Sequence, residues 1–455
     1  MSAKNKVVLI GSGSQYTEFF LQEIFKFEDF KGCTVALVDR KQERLNEVLS
    51  IGRKLNEIMD WNVDFIGSPD RREMLPDAKV VYMFAAVNYM HAWARELEIC
   101  QKNGLNPYEF HTTGPAGLSM AMRHVPLALE IAADMEELCP GAWLVLDNNP
   151  LSRIQAAVMR HSKTNVVGYC YGHELVQMAL EQILGMTDRD ESTKLADPVE
   201  REFMCPADNI TLRQAGVNHM MWLLDVRDRK TGDDLYPKLK KILDTVELSS
   251  IPAGYKYCTE VYKLFGLFAT PADSHVADYC WSVDKSNEER CGLYPFPVKS
   301  WFGGRDRSAW AEIASKIFDK GSAENFIKQR RTGWMSTQIS RYMFNGDPKY
   351  FPALNTVNGG TIENISPDII VETCGVIGPN YVAHTKIGRL PDAAAAICEL
   401  NGRIALMAAD ATATGDKKLA LQSLLIDPFI HSETVAKKIL EDILQENKQY
   451  DTRFK

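Results

Sequence analysis

In the first part of the chain, short and almost uninterrupted apolar runs alternate with longer amphipathic stretches. Residues 6–10, 34–38, 63–66, 79–85, 143–146 and 165–169 are rich in Val, Leu and Ile and too short for ordinary helices. Runs that are apolar at nearly every position, rather than at every second one, predict strands covered on both faces. With helical segments between them they predict an α/β fold, a Rossmann-like doubly wound parallel sheet. A polar and aromatic insertion, residues 86–118, separates the fourth run from the fifth. Ligands bind outside the carboxyl ends of the strands in such sheets, so this insertion is expected to border the active site.

Beyond about residue 195 the pattern becomes mixed. Alternating apolar positions over 210–225 predict a strand, a long stretch of helices punctuated by Gly and Pro follows, and residues 392–444 are strongly helical. The expected organisation is a Rossmann domain over residues 1–195 and a mixed α+β domain over 196–455, with the active site between them.

Composition narrows the function. A chain of 455 residues exceeds one ordinary core, and 45% hydrophobic with 25% charged residues is the balance of a soluble globular protein. No apolar run reaches the length of a membrane span, and residues 1–6 lead into the first strand without a signal-peptide core, so a cytoplasmic location and no membrane partner are expected. Ten cysteines without a C-x-x-C pair argue against a disulfide framework or a zinc knuckle. A net charge of -8 argues against nucleic-acid binding, which needs a basic face. A small-molecule enzyme fits best.

The turn Gly11-Ser12-Gly13-Ser14 directly follows the first strand, and Asp39 closes the second. Glycines there let the backbone approach a pyrophosphate, and the next helix presents its N-terminus to it. Asp39 stands at the spacing of the carboxylate that binds the adenosine ribose. It would repel a 2′-phosphate, which favours NAD, while Arg40 and Lys41 leave NADP open.

Several segments together resemble glycoside hydrolase family four: Gly11 to Thr17, Thr112-Thr113-Gly114-Pro115-Ala116-Gly117, Arg123 to Pro126, Asn149-Pro150, Gly168-Tyr169-Cys170, Gly216-Val217-Asn218-His219, and Asn355 to Glu372. The family's glycosidases use NAD and a divalent metal on a fold related to lactate and malate dehydrogenases, and depart from the two-carboxylate mechanism. The resemblance implies that Cys170 and His219 bind a divalent transition metal, Mn²⁺ foremost, with Co²⁺, Ni²⁺ and Fe²⁺ as alternatives. It implies that Asn149 contacts sugar hydroxyls and that Tyr255 is the base, with Tyr257 in reserve. It further implies oxidation of the sugar at C3 by NAD⁺, removal of the C2 proton, loss of the aglycone, addition of water and return of the hydride. Relatives form dimers or tetramers, so a homodimer or homotetramer is expected.

The chain departs from the family around the sugar. Many relatives carry an acidic residue where His111 stands and Gly where Ala116 stands, and Tyr171 replaces the usual residue after the metal cysteine. His111, Tyr171 and His173 are candidate acids for the leaving group. The run Cys170-Tyr171-Gly172-His173 looks closest to the branch acting on unphosphorylated α-glucosides, α-galactosides and α-uronides. His173 and Arg95 are candidate contacts to the substrate, and Arg95, Arg123 or Lys256 would serve an anionic sugar. Two other readings stay open: an NAD-dependent 2-hydroxy acid dehydrogenase, and an inactive NAD-binding relative.

Overall fold

A computed structural model describes residues 5–186, 209–279, 285–293, 310–328, 334–344, 346–450 and 453–454. The expected boundary between residues 195 and 196 lies outside the described residues. The strands are β1 Lys6–Ile10, β2 Thr34–Val38, β3 Asp64–Ser68, β4 Val80–Met83, β5 Trp143–Leu146, β6 Asn165–Gly168, β7 Ile210–Val217, β8 Met220–Asp228, β9 Ala269–Thr270, β10 Lys349–Val357, β11 Ile370–Gly378 and β12 Tyr381–His384. They form one sheet in the order β3-β2-β1-β4-β5-β6-β10-β11-β7-β8-β9, with β12 beside β11. The first six are parallel and the rest pair antiparallel. The expected α/β, Rossmann-like class is what the chain forms.

The apolar runs are uninterrupted because both faces of the parallel part are covered. Val8, Ile10, Val81, Met83, Leu144 and Leu146 point into the cluster shared with the helices Gly114–Leu138 and Leu151–His161. Their neighbours Val7, Leu9, Val80, Tyr82 and Val145 point the other way, toward the helices Gln15–Ile24 and Gln42–Met59. That alternation is the two-residue period of a strand, with both sets buried. The parallel and antiparallel parts join where Gly168 of β6 pairs with Asn355 of β10. A Cβ on Gly168 would lie 2.5 Å from Gln155 Oε1 and 2.9 Å from Asn355 Cβ, so glycine is what lets β10 close against β6.

Two local expectations change. The run 210–225 is a hairpin, not one strand: β7 and β8 pair in register from Val217↔Met220, with Asn218-His219 as the turn. The insertion 86–118 contains a helix, Tyr89–Lys102, and leads into the helix Gly114–Leu138. Its apolar residues Trp93, Leu97 and Cys100 join a third cluster with the C-terminal helices Lys417–Leu425 and Glu433–Asn447. Among the described residues, no helix is long and apolar enough to cross a membrane.

Candidate active site

Strand order reverses between β1 and β4, which opens the crevice where open α/β sheets bind ligands. The amides of Gly11 and Ser12 both donate to Val38 O, at 2.8 and 2.9 Å, and so set the turn against the end of β2. Asp39 consequently reaches the turn. Its carboxylate accepts from Gly13 N at 2.8 Å and from Lys41 N at 2.9 Å. Gly11 has φ +88°, and a Cβ there would lie 2.5 Å from the backbone of Ala85, just beyond β4. Ser14 caps the helix Gln15–Ile24, and the buried Ser12 Oγ has no partner among the described residues. A tight turn at a helix N-terminus, a spare buried hydroxyl and a carboxylate at the rim fit a dinucleotide.

Cys170 follows β6, and His219 sits in the β7–β8 turn. Asn218 connects them: it hydrogen-bonds to Cys170, and its Nδ2 donates to Glu372 Oε2 at 2.7 Å. His219 adopts φ +67°, an uncommon backbone state for a residue with a side chain. Burial, then the neighbouring His275, pushes its imidazole well below the usual range, so it stays neutral, the form that coordinates metals. Burial and the Glu372 carboxylate push the Cys170 thiol up. A bound cation would favour its thiolate. A soft thiolate beside a neutral imidazole is a fitting donor set for a divalent transition metal. Among the described residues, no group of three or more His, Cys, Asp or Glu forms a metal-holding cluster, so other ligands would have to complete the shell.

The most densely connected part of the site was not anticipated. The half-buried Glu109 carboxylate meets His111 Nδ1 at 3.2 Å and His275 Nε2 at 3.3 Å and accepts from Ser274 Oγ. Burial raises its pKa, but His275 and His111 more than reverse this and hold it well below the usual carboxylate range. His275 in turn packs edge-on against His219, with ring centroids 4.2 Å apart. Asp278 places Glu109 by accepting the amides of Tyr108, Glu109 and Phe110 at 3.0, 2.9 and 2.6 Å. A charged residue two positions before His111 was visible in the sequence, but nothing there tied it to His275.

Asn149 hydrogen-bonds to Tyr89, whose ring stacks with both His111 and His124, so Tyr89 links Asn149 to His111. Tyr255 occupies the N-cap of the helix Lys256–Phe265. It adjoins Gly254, whose carbonyl accepts from Asp273 N at 2.7 Å, two residues before His275. Tyr171 is half-buried directly after Cys170. His173 is buried and joined to Gln214 at 3.1 Å, which ties its helix to β7. Arg95 pairs with Glu446 at 2.5 Å, and Arg123 forms a buried ion pair with Glu96.

His124 links two loops of the crevice. Its Nε2 accepts from Val87 N at 3.0 Å, and its Nδ1 therefore donates to Asn149 O at 2.7 Å. Burial, then the adjacent Arg123 charge, pushes its pKa down to about 3. An unfolded histidine titrates near 6.5, so the stability held by the neutral ring is complete above that pH and is lost as pH falls toward 3. At pH 5 the loss amounts to about 2 kcal/mol. Unfolding titrations at pH 7.5 and pH 5 should therefore show a drop about that much larger for the wild type than for His124→Gln; equal drops would contradict it.

Comparison with known proteins identifies the family and the fold. Residues 6–186 match the family model described as Family 4 glycosyl hydrolase, and residues 214–430 match that of its C-terminal domain. The chain is 26% identical to an alpha-galactosidase of Bacillus subtilis over 438 residues, covering 96% of this chain and 95% of that one. It is 28% identical to a probable 6-phospho-beta-glucosidase of the same organism, covering 99% and 98%. A 6-phospho-alpha-glucosidase from gut microorganisms, solved in complex with NAD and Mn²⁺, shares the fold at TM-score 0.78 and 19% identity, covering 99% and 100%. Malate dehydrogenase from Plasmodium falciparum shares it at TM-score 0.54 and 11% identity, covering 90% and 98%. Matched over most of its length by both parts of one family, the chain belongs to glycosyl hydrolase family 4 and is a glycoside hydrolase.

Proposed function

We propose that the protein hydrolyses a small, unphosphorylated, α-linked glycoside with NAD and a divalent metal, Mn²⁺, as cofactors, and works as a homodimer or homotetramer. The observation that carries this reading is that the Gly11–Ser14 turn, the Asn149 loop, Cys170 and the His219 turn all follow residues of one row across a single sheet, in which Ile10, Leu146, Gly168 and Gly216 share a register through Met83, Asn355 and Glu372. Gly11, Ser12, Gly13 and Ser14 would hold the pyrophosphate, Asp39 the ribose, and Cys170 with His219 the metal. When bound, the nicotinamide would accept and return a hydride, and the metal would act as a Lewis acid on substrate oxygens.

The chain supplies the remaining steps. Asn149 orients the sugar through its hydroxyls, and Tyr255 removes the proton from C2. His111 gives a proton to the leaving oxygen: Glu109 holds its Nδ1, and its buried Nε2 has no partner among the described residues. Tyr171 is the second candidate for that role. Glu109 also supports an unphosphorylated sugar, because a carboxylate that stays ionised repels a phosphate. Arg95 and Arg123, candidate partners for a phosphate or a uronic acid, are engaged by Glu446 and Glu96.

The test is hydrolysis of aryl α- and β-glycosides of glucose, galactose and the uronic acids, together with the 6-phosphoglucosides, in deuterated water. Turnover of the unphosphorylated α-glycosides that needs both NAD⁺ and Mn²⁺, with deuterium placed at C2, is the expected result. Turnover that survives removal of both additives would overturn the mechanism, and faster turnover of the 6-phosphoglucosides would overturn the substrate class.

A further inference from the structure

The loop 84–88 follows β4 and forms the wall of the crevice opposite the glycine turn. It is held from three directions. Ala85 lies against Gly11, and Asn148 Nδ2 donates to Ala85 O at 3.2 Å. His124 fixes Val87 N from the helix below. The third set of contacts leads away from the crevice, to the C-terminal end of the chain.

Arg123, with no exposed side-chain surface, donates from Nε to Val87 O at 3.2 Å and from Nη1 to Asn447 Oδ1 at 2.9 Å. Asn447 ends the helix Glu433–Asn447, and its Nδ2 donates to Ser119 Oγ at 2.6 Å. Three residues further on, the ring of Tyr450 lies 5.8 Å from the Arg123 guanidinium carbon, and its hydroxyl accepts from Asn88 Nδ2 at 2.6 Å. Arg95 clasps Glu446 on the same turn.

Asn88 distinguishes a positioning link from ordinary packing. It has φ +47° and ψ +40° at the N-cap of the helix Tyr89–Lys102, yet its side chain caps no helix amide. An asparagine at an N-cap ordinarily uses its side chain on those amides. Here the amide group reaches outward to Tyr450 instead, and a left-handed backbone residue is held by a contact with the end of the chain.

We propose that Asn447 and Tyr450 are positioning residues for the cofactor: the C-terminal turn holds loop 84–88 in the shape that receives the nicotinamide half of NAD. This rests on the NAD reading of the crevice given above. Cofactor affinity then depends on a segment outside the crevice, and coupling of this kind is reciprocal, so NAD must also tighten the C-terminal turn.

The test measures NAD⁺ affinity directly by calorimetric titration, without substrate. Tyr450→Phe keeps the ring over Arg123 and removes the hydroxyl that accepts from Asn88 and also hydrogen-bonds to Arg95. It is expected to weaken NAD⁺ binding about five- to tenfold, the scale of one hydrogen bond. Asn88→Gly accepts the left-handed backbone without outside help. In that background Tyr450→Phe should weaken binding less than about twofold, which is the sign of coupling through Asn88. Hydrogen exchange on the unaltered protein supplies a reading that needs no variant: NAD⁺ should slow exchange across 443–450 as well as 84–89. Unchanged affinity in Tyr450→Phe, an equal loss in both backgrounds, or no protection of 443–450 would overturn the proposal. If the unaltered protein binds no NAD⁺ at all, the reading of the crevice fails first and this inference falls with it.

Discussion

Cys170→Ser is expected to abolish metal retention and to lower kcat/KM on the order of 10³-fold, the scale seen when a principal electrostatic stabiliser is removed. Serine keeps the size of the side chain but not the soft, ionisable sulfur that suits a transition metal. The thiol is buried and hydrogen-bonded to the Gly172 backbone and the Asn218 side chain, partners a serine hydroxyl can also use, so the fold should tolerate the exchange. Metal content after gel filtration and NAD⁺ affinity are the two readings that matter. Loss of metal with unchanged NAD⁺ affinity would assign Cys170 to the metal half of the site. Metal and activity both surviving would remove Cys170 from the ligand set.

Asp278→Ala should be the most damaging change among the residues that support the site. Its carboxylate accepts three amides from the 108–110 turn. An amide left without an acceptor costs about 1–3 kcal/mol when buried, so with three amides released the protein should lose at least about 3 kcal/mol of stability and Glu109 should no longer be held against both His111 and His275. Denaturant unfolding of the cofactor-free protein measures the first effect, and kcat/KM the second. Glu109→Gln separates the two, because it removes the charge while leaving the turn pinned by Asp278. A stable, fully active Asp278→Ala protein would show that the turn needs no such anchor.

These two residues also mark what could and could not be read along the chain. Cys170, His219 and Asn149 could be named as candidates from the sequence because each lies in a short local pattern that the family resemblance ties to a chemistry. The glycine turn and Asp39 were legible because one strand ending in a turn, and the next ending in a carboxylate, form a fixed geometric unit. Glu109 was passed over. Its partner Ser274 stands 165 positions away, and Asp278 stands 168 to 170 positions from the amides it holds. No periodicity or spacing rule spans that distance. The partners of Arg95 and Arg123 were not legible either: Glu446 and Asn447 come from the C-terminal helix, more than 320 positions away, and join Glu96 around these two cations.

Local patterning determined the parallel strands, the covered faces of the sheet, the cofactor turn and the class of chemistry, because each depends on residues close together in sequence and on the strand period. The run 210–225 shows the limit of that reasoning even at short range. Alternation predicts β structure but not the point of reversal, which is set by the Asn218-His219 turn. Tertiary structure alone decided that β10 and β11 enter the sheet beside β6, that His275 and Glu109 meet next to His219, and that Asn447 and Tyr450 reach the wall of the crevice. Those pairings are chosen by which buried polar groups must find partners once the sheet has closed, and that requirement has no local signature in the chain.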